Sequence, residues 1–135
     1  MRFRSAVAFG IAALVTVSCG GVVSPSNNVT ETFSGTLEPP PSTNNIAIKT
    51  FTTTKSGEFN VKITALAPLT NVFLGMIYGQ VQSNGQCGLL QQNSFATLNT
   101  TALAGAITPG TWCVAIFDVG TLTAPETFTV TIQHP

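Results

Sequence analysis

The chain has 135 residues, which is enough for one domain with a single core but too few for two. Charged residues make up only 7% and the apolar and aromatic set 44%. Outside the N-terminus, however, the apolar residues fall in short runs, which excludes a chain with several membrane spans. Five basic residues balance five acidic ones. Without a basic patch, we expect no nucleic-acid partner.

Residues 1–18 have the composition of a secretory signal peptide. Arg2 and Arg4 precede the uncharged stretch 5–18, whose apolar core is too short to span a bilayer comfortably. Removing this segment leaves three Lys against five acids, a net charge of −2. The pattern predicts export, and therefore an oxidising compartment for the mature chain.

The apolar stretch ends in TVSCG, which resembles the bacterial lipobox. In that motif, small or apolar residues precede a cysteine that is acylated and becomes the first residue of the mature protein. Cys19 holds that position, with Thr16 where Leu is commoner. The alternative is an ordinary signal peptide cut near residue 18. The resemblance implies a bacterial envelope lipoprotein held by acyl chains on Cys19. Since Gly20 rather than Asp follows, we expect the outer membrane, at its periplasmic face or at the cell surface.

Residues 19–29 are rich in Gly, Ser, Pro and Asn and predict a flexible tether, which leaves residues 30–135 as the folded domain. That domain shows alternating apolar and polar residues between turn signals, with no convincing helical period. The pattern predicts an all-β sandwich or barrel of about eight strands. The predicted strands are 30–37, 46–54, 58–66, 71–78, 87–95, 100–107, 112–117 and 126–134.

The second predicted strand has a conflict of phase. Ile46 and Ile48 share one face of an ideal strand, whereas Phe51 and Thr53 share the other. A β-bulge near Lys49 would bring the two pairs to the same face, and we expect one there.

Three cysteines become two once Cys19 is acylated. In an oxidising compartment Cys87 and Cys113 are then expected to form a disulfide, closing a loop of about 27 residues. A metal site through these thiols is not expected. The only histidine, His134, lies one residue from the end, and no further cysteine is close to either thiol in the sequence.

Three stretches resemble the bacterial pre-peptidase C-terminal domain and its small lipoprotein relatives. They are ETFSGTL at 31–37, TTTKSGEFNVKITALAPL at 52–69 and GTWCVAIFDVGTLTAPETFTVTI at 110–132. The resemblance implies an antiparallel, jelly-roll-like β-sandwich with a non-catalytic role. Some relatives bind collagen or polysaccharide, at times with calcium. Calcium prefers clustered oxygen ligands. The acidic residues here are isolated along the chain, so we expect no metal and no cofactor. These acidic residues are Glu31, Glu38, Glu58, Asp118 and Glu126.

The residue types of a Ser-His-Asp set are present, but their pattern does not predict an enzyme. No Gly-x-Ser-x-Gly motif occurs, and a single histidine near the end of the chain has little to orient it. We expect His134 to be exposed to solvent. Asp118, just before Val119-Gly120, is expected to cap a turn by accepting hydrogen bonds from backbone amides.

Aromatic and aliphatic residues are the remaining candidates for a binding surface. Trp112 shares its phase with Val114 and Ile116, so we expect it in the core, with a partly exposed binding aromatic as the alternative. Phe73 and Ile77 lie on the second face of a strand that is apolar on both sides, and Phe117 lies opposite Trp112. These three are candidates for an exposed patch, unless the other sheet or a loop covers them.

Together these features predict a non-catalytic lipoprotein of the cell envelope whose sandwich is a binding or spacer module at the membrane surface. One alternative is an adhesion-type module that binds carbohydrate or protein. Another is an assembly subunit that pairs through sheet edges or through the face of Phe73 and Ile77.

Overall fold

The computed structural model describes residues 27–135, so the predicted signal peptide, Cys19 and most of the predicted tether lie outside the described residues. Within them the chain forms eight β-strands and no α-helix. The strands are β1 (Val29–Leu37), β2 (Ile46–Thr53), β3 (Gly57–Ala67), β4 (Leu74–Gln80), β5 (Gln91–Ala96), β6 (Thr101–Ile107), β7 (Gly110–Asp118) and β8 (Glu126–His134). No helix in this part of the chain is long and apolar enough to cross a membrane.

The strands form two four-stranded sheets. Sheet I has the order β1-β8-β3-β6 and sheet II the order β2-β7-β4-β5. All neighbouring strands are antiparallel. The chain changes sheet at every connection except that from β4 to β5, and this order is that of a jelly roll. The predicted antiparallel, jelly-roll-like sandwich of eight strands is therefore confirmed.

The core lies between the two sheets and is built from the inward phase of each strand. In β8, Phe128, Val130 and Ile132 are at most 2% exposed, while the intervening threonines face outward. Trp112, Val114 and Ile116 of β7 face the same core, as their shared phase predicts. Alternation with a period of two residues is enough to place these side chains, because each sheet has one covered face.

The β-bulge predicted near Lys49 is wrong. The register of β2 against β7 runs unbroken from the Ile46–Phe117 pair to the Thr53–Gly110 pair. Phe51 and Thr53 are buried, and Lys49 shares their inward phase at the rim of the sandwich. The two isoleucines are therefore left on the outside, 47% exposed at Ile46 and 39% at Ile48.

Other boundaries differ slightly from the predictions. β1 begins at Val29, which already pairs with His134, one residue before the predicted start of the domain. β4 begins three residues later than predicted, at Leu74, and β5 four residues later, at Gln91. The register shifts occur in β3 and in the β4–β5 pair rather than in β2.

Candidate functional site

The outer face of sheet I is covered with hydroxyl groups. Four outward side chains of β1 stand opposite four of β8, and seven of these eight are Thr or Ser; we call this surface the hydroxyl face. The pairs are Thr30–Gln133, Thr32–Thr131, Ser34–Thr129 and Thr36–Thr127. Ser34 and Thr129 share a hydrogen bond of 2.8 Å between their hydroxyl oxygens. A depression of about 430 Å³ adjoins this face; it is lined by Asn28, Glu58, Asn60 and Gln133 together with Phe59, Ala104 and Gly105. Water satisfies such a surface without a partner.

The outer face of sheet II is apolar in part, although Thr50, Thr52 and Gln92 also point outward there. We call the surface formed by Ile46, Ile48, Phe73, Ile77, Phe95 and Phe117 the apolar face. Cross-strand pairing brings its central members together, because Ala115 lies opposite both Ile48 of β2 and Ile77 of β4. A groove of about 270 Å³ runs between Ile46, Ile48 and Ile77 on one side and the chain at Gln86 and Cys87 on the other.

Gly75 makes room for Phe117 within this face. The two residues are paired across β4 and β7, and the Phe117 ring lies directly over Gly75. Any side chain at Gly75 would overlap that ring, since a Cβ built there falls within the ring's van der Waals radius. The missing side chain therefore lets Phe117 lie across the sheet, where it is only half-buried.

Phe95 is the most exposed member of the apolar face and packs against Phe73. Their rings pack edge to face, with centroids 6.1 Å apart and an interplanar angle of 81°. Phe73 is 45% exposed and Phe95 73%. A pair of exposed phenylalanines beside exposed isoleucines is unusual, because burying this much apolar surface is favourable.

The Cys87–Cys113 disulfide pins the β4–β5 loop against the same sheet. The two cysteines are bonded, as predicted, with Cα atoms 5.6 Å apart. Cys113 points to the outer face of β7 and is nevertheless fully buried, because the loop covers it. The Gly88 carbonyl sits over Gly79 so closely that no side chain would fit there. The Gly88 and Leu90 amides also donate to carbonyl oxygens of β4, at 2.8 and 3.0 Å.

Charge is absent from this side of the sandwich. From Ile63 to Phe117 the sequence contains no Asp, Glu, Lys, Arg or His, and that stretch supplies β4, β5, β6 and most of β7. Lys49 is the only charged residue of β2, and its side chain turns away from the apolar face to pair with Glu31. The apolar face therefore has no ionic group of its own to bind a charged ligand.

Trp112 lies in the core rather than on the apolar face. Its indole nitrogen donates to the Thr108 carbonyl oxygen at 2.9 Å, and its ring stacks on Tyr78 with centroids 5.2 Å apart. Phe59 also stacks on Tyr78, with ring centroids 4.0 Å apart. Burial raises the pKa of Tyr78 to about 12, because the phenolate would be poorly solvated there. The Tyr78 hydroxyl is buried and has no hydrogen-bond partner among the described residues.

Both open sides of the sandwich are bridged by side chains. Gln91 and Asn93 of β5 donate their amide hydrogens to the Ala104 and Ala102 carbonyl oxygens of β6, at 3.2 and 3.0 Å. Carbonyl groups engaged in this way are less available to another strand, because one of their two lone pairs is already used. Contacts of this kind are one means by which natural proteins discourage pairing of exposed edges.

At the opposite side, His134 is buried, and the prediction that it is exposed is wrong. It is 3% exposed, and its ring packs against Phe51 with centroids 4.8 Å apart. Its Nε2 lies 3.2 Å from Glu31 Oε1, and the second Glu31 oxygen lies 3.2 Å from Lys49 Nζ. The other ring nitrogen, Nδ1, faces the Pro135 carbonyl oxygen at 3.2 Å. Both ring nitrogens thus face acceptors, and among residues 27–135 no hydroxyl group hydrogen-bonds to either.

Two further acids have structural positions. Asp118 Oδ1 accepts from the backbone amides of Gly120, Thr121 and Leu122 at 2.9 to 3.2 Å, which confirms the predicted turn cap. Glu126 is 1% exposed, and both its oxygens accept from the Leu69 amide, at 3.2 and 3.3 Å. No group of three or more His, Cys, Asp or Glu side chains converges within residues 27–135.

The structure brings Phe73, Ile77 and Phe117, three candidates for an exposed patch, to one face, and three further members of that face were missed. Ile46 and Ile48 were missed because the expected bulge would have turned them inward. Phe95 carried no signal, since only the fold shows that it meets Phe73. For Glu126 and His134 a signal did exist, because both share the inward phase of Phe128, Val130 and Ile132 in β8.

No model of a known protein family matches this chain, and no curated protein matches it either. The resemblance to the pre-peptidase C-terminal domain therefore stays a prediction.

Proposed function

We propose that this protein is a non-catalytic lipoprotein of the bacterial cell envelope that displays a β-sandwich binding module at the membrane surface. The contrast between the two outer faces carries this proposal. Sheet I presents hydroxyl groups, which form hydrogen bonds with water. Sheet II presents an uncharged apolar face, which is exposed to water without forming hydrogen bonds to it.

The anchor in this proposal is Cys19 in its lipobox-like sequence, with the outer membrane as the expected location. The chain reaches the sandwich at β1, so only a short tether separates lipid from domain. The jelly-roll order is compatible with a relationship to the pre-peptidase C-terminal domain, whose appended copies are non-catalytic. A disulfide-pinned loop and a continuous core supply rigidity, which a binding surface needs in order to keep its shape.

The apolar face, rather than a strand edge, is the proposed interaction surface. Gln91 and Asn93 already engage carbonyl groups of β6, which works against assembly by edge pairing. Aromatic side chains such as Phe73 and Phe95 are the type that binding surfaces favour. Carbohydrate and protein ligands remain the alternatives to be distinguished by experiment.

The anchor is tested by the mass of the N-terminal peptide from protein extracted from bacterial membranes. The wild type should carry acyl chains on Cys19, and Cys19→Ala should carry none. An unmodified wild-type peptide would refute the anchor.

The alternative of a carbohydrate or protein ligand is tested with the full-length protein in detergent on immobilised polysaccharides and collagen. The variant Ile48→Asp/Phe95→Asp adds two charges to the apolar face, and Thr30→Asp/Thr36→Asp adds the same charge to the hydroxyl face. Retention that the first pair abolishes and the second preserves supports the apolar face as the ligand surface. Equal retention of both variants would refute it.

A further inference from the structure

The apolar face is a surface that the described part of the chain leaves without a partner. Its six side chains include Phe95 at 73%, Ile46 at 47% and Phe73 at 45% exposure. These side chains are held in place rather than loosely attached. Ile46 and Ile48 belong to an unbroken strand pair, and Phe73 and Phe95 support each other edge to face. Covering a rigid apolar surface of this kind with any apolar phase lowers the free energy, because the surface is removed from water.

We propose that the occupant of the apolar face is the lipid surface itself, so that the sandwich lies with sheet II against the bilayer. This inference rests on the proposed lipid anchor. The bilayer is then the partner of the apolar face, and the hydroxyl face is turned toward water.

Distance is the first argument. Asn27, the first described residue, is eight residues on from Cys19, and an extended chain covers at most about 3.6 Å per residue. The domain therefore cannot move more than about 29 Å from an acylated Cys19. A surface held this close meets lipid at a high effective concentration, so even a weak affinity suffices for docking.

The point of entry is the second argument. The chain enters the domain at Val29, opposite His134 in the β1–β8 pair. The His134 ring packs on Phe51 of β2, and β2 is the strand that carries Ile46 and Ile48. The tether thus arrives beside the half of β2 that carries Phe51 and Thr53, and Ile48 lies three residues, or about 10 Å, farther along this edge strand. A chain that reaches about 29 Å does not need to cross the sandwich for the apolar face to reach the bilayer.

The chemistry of the face is the third argument. A site for a sugar or a polar peptide combines apolar walls with a few fixed polar groups. The groove between Ile46, Ile48 and Ile77 has one polar side chain in its lining, Gln86 on the covering loop. Lipid makes no such demand, since apolar side chains that enter the boundary of headgroups and acyl chains need no specific partner. The absence of charge between Ile63 and Phe117 fits the same surface.

The test places a photoreactive phenylalanine analogue at Phe95 of the full-length protein in bacterial cells. The matched control places it at Thr36, which is exposed on the hydroxyl face. After irradiation, we expect the yield of phospholipid adduct at position 95 to be at least about tenfold that at position 36. Adding Ile46→Asp/Ile48→Asp should lower the yield at position 95 by about tenfold or more, because charge opposes insertion of this face.

The midpoint of the unfolding transition of the charged variant is measured alongside. If that midpoint is lower than in the wild type, Ile46→Ser/Ile48→Ser replaces the charged variant. A cross-linked dimer at position 95 in place of lipid would show that a second copy covers the face. An adduct to polysaccharide or another protein would show a different ligand, and equal lipid yields at both positions would show no docking. Each of these results overturns the inference. Acylation of Cys19 is read from the same sample, so a failed anchor is distinguished from a failed docking face.

Discussion

Removal of the Cys87–Cys113 disulfide should lower stability by an amount that the structure allows us to calculate. The two cysteines are separated by 26 positions. For a loop of that size the chain-entropy relation gives about 12 cal/mol/K, or about 3.5 kcal/mol at room temperature. Domains of this kind are commonly stable by only about 5 to 15 kcal/mol. The variant Cys87→Ala/Cys113→Ala should therefore fold, but with a much smaller margin.

The assay is urea unfolding of the full-length protein, followed by fluorescence of Trp112. That residue is the only tryptophan and is 8% exposed, so its emission reports opening of the core. With a slope of about 1 to 3 kcal/mol per molar urea, the midpoint should fall by about 1.2 to 3.5 M. Wild-type protein unfolded with reductant should match the variant. Ser83→Ala, an exposed substitution in the same loop, should change nothing.

Hydrogen exchange supplies a local readout of the same prediction. The Gly88 and Leu90 amides bond to β4 carbonyl groups beside the disulfide, so their protection should fall more than that of β8 amides. A loss of less than about 1 kcal/mol in the double variant would refute the reasoning, because the bond would then add almost no constraint to the denatured chain.

Two further predictions concern buried titratable groups. Tyr78 is the only tyrosine, and burial raises its pKa from 10.0 to about 12. Its contribution to stability should be complete below pH 10 and be lost as the pH rises toward 12, because only the unfolded state ionises in that range. Tyrosinate absorbance that titrates near pH 10 in the folded protein would contradict this. Glu126→Ala should cost about 1 to 3 kcal/mol because it leaves the Leu69 amide unpaired, whereas Glu126→Gln keeps an acceptor; equal urea midpoints for the two variants would contradict the proposed role.

Much of the fold was accessible from the sequence because alternation has a simple physical origin. Successive side chains of a strand point to opposite faces, so the spacing of Phe128, Val130 and Ile132 was enough to place them in the core. Two cysteines in a chain with a predicted export signal indicated the disulfide for a chemical reason, namely that thiols in an oxidising compartment form disulfides. Alternation predicted the strands but not the jelly-roll-like sandwich, because it does not show which strands become neighbours. That arrangement was predicted from the family resemblance.

The apolar face shows where sequence reasoning stopped. A strand that is apolar on both sides indicates a second apolar face, and Phe73, Ile77 and Phe117 were named as candidates in that way. The direction of Ile46 and Ile48 depended on the register of β2 against β7, which long-range pairing decides. Gly75 matters only because β7 sets Phe117 above it. The contact of Phe95 with Phe73 likewise exists only once β5 has folded back beside β4.

Alternation within each strand thus determined which residues share a face of that strand. The pairing of distant strands decided which of these faces line the core and which remain exposed to solvent. Local geometry repeats every two residues and can be followed along the chain. The position of a strand within a sheet depends on partners up to about a hundred residues away, as with Glu31 and His134. Those partners meet only in the folded protein.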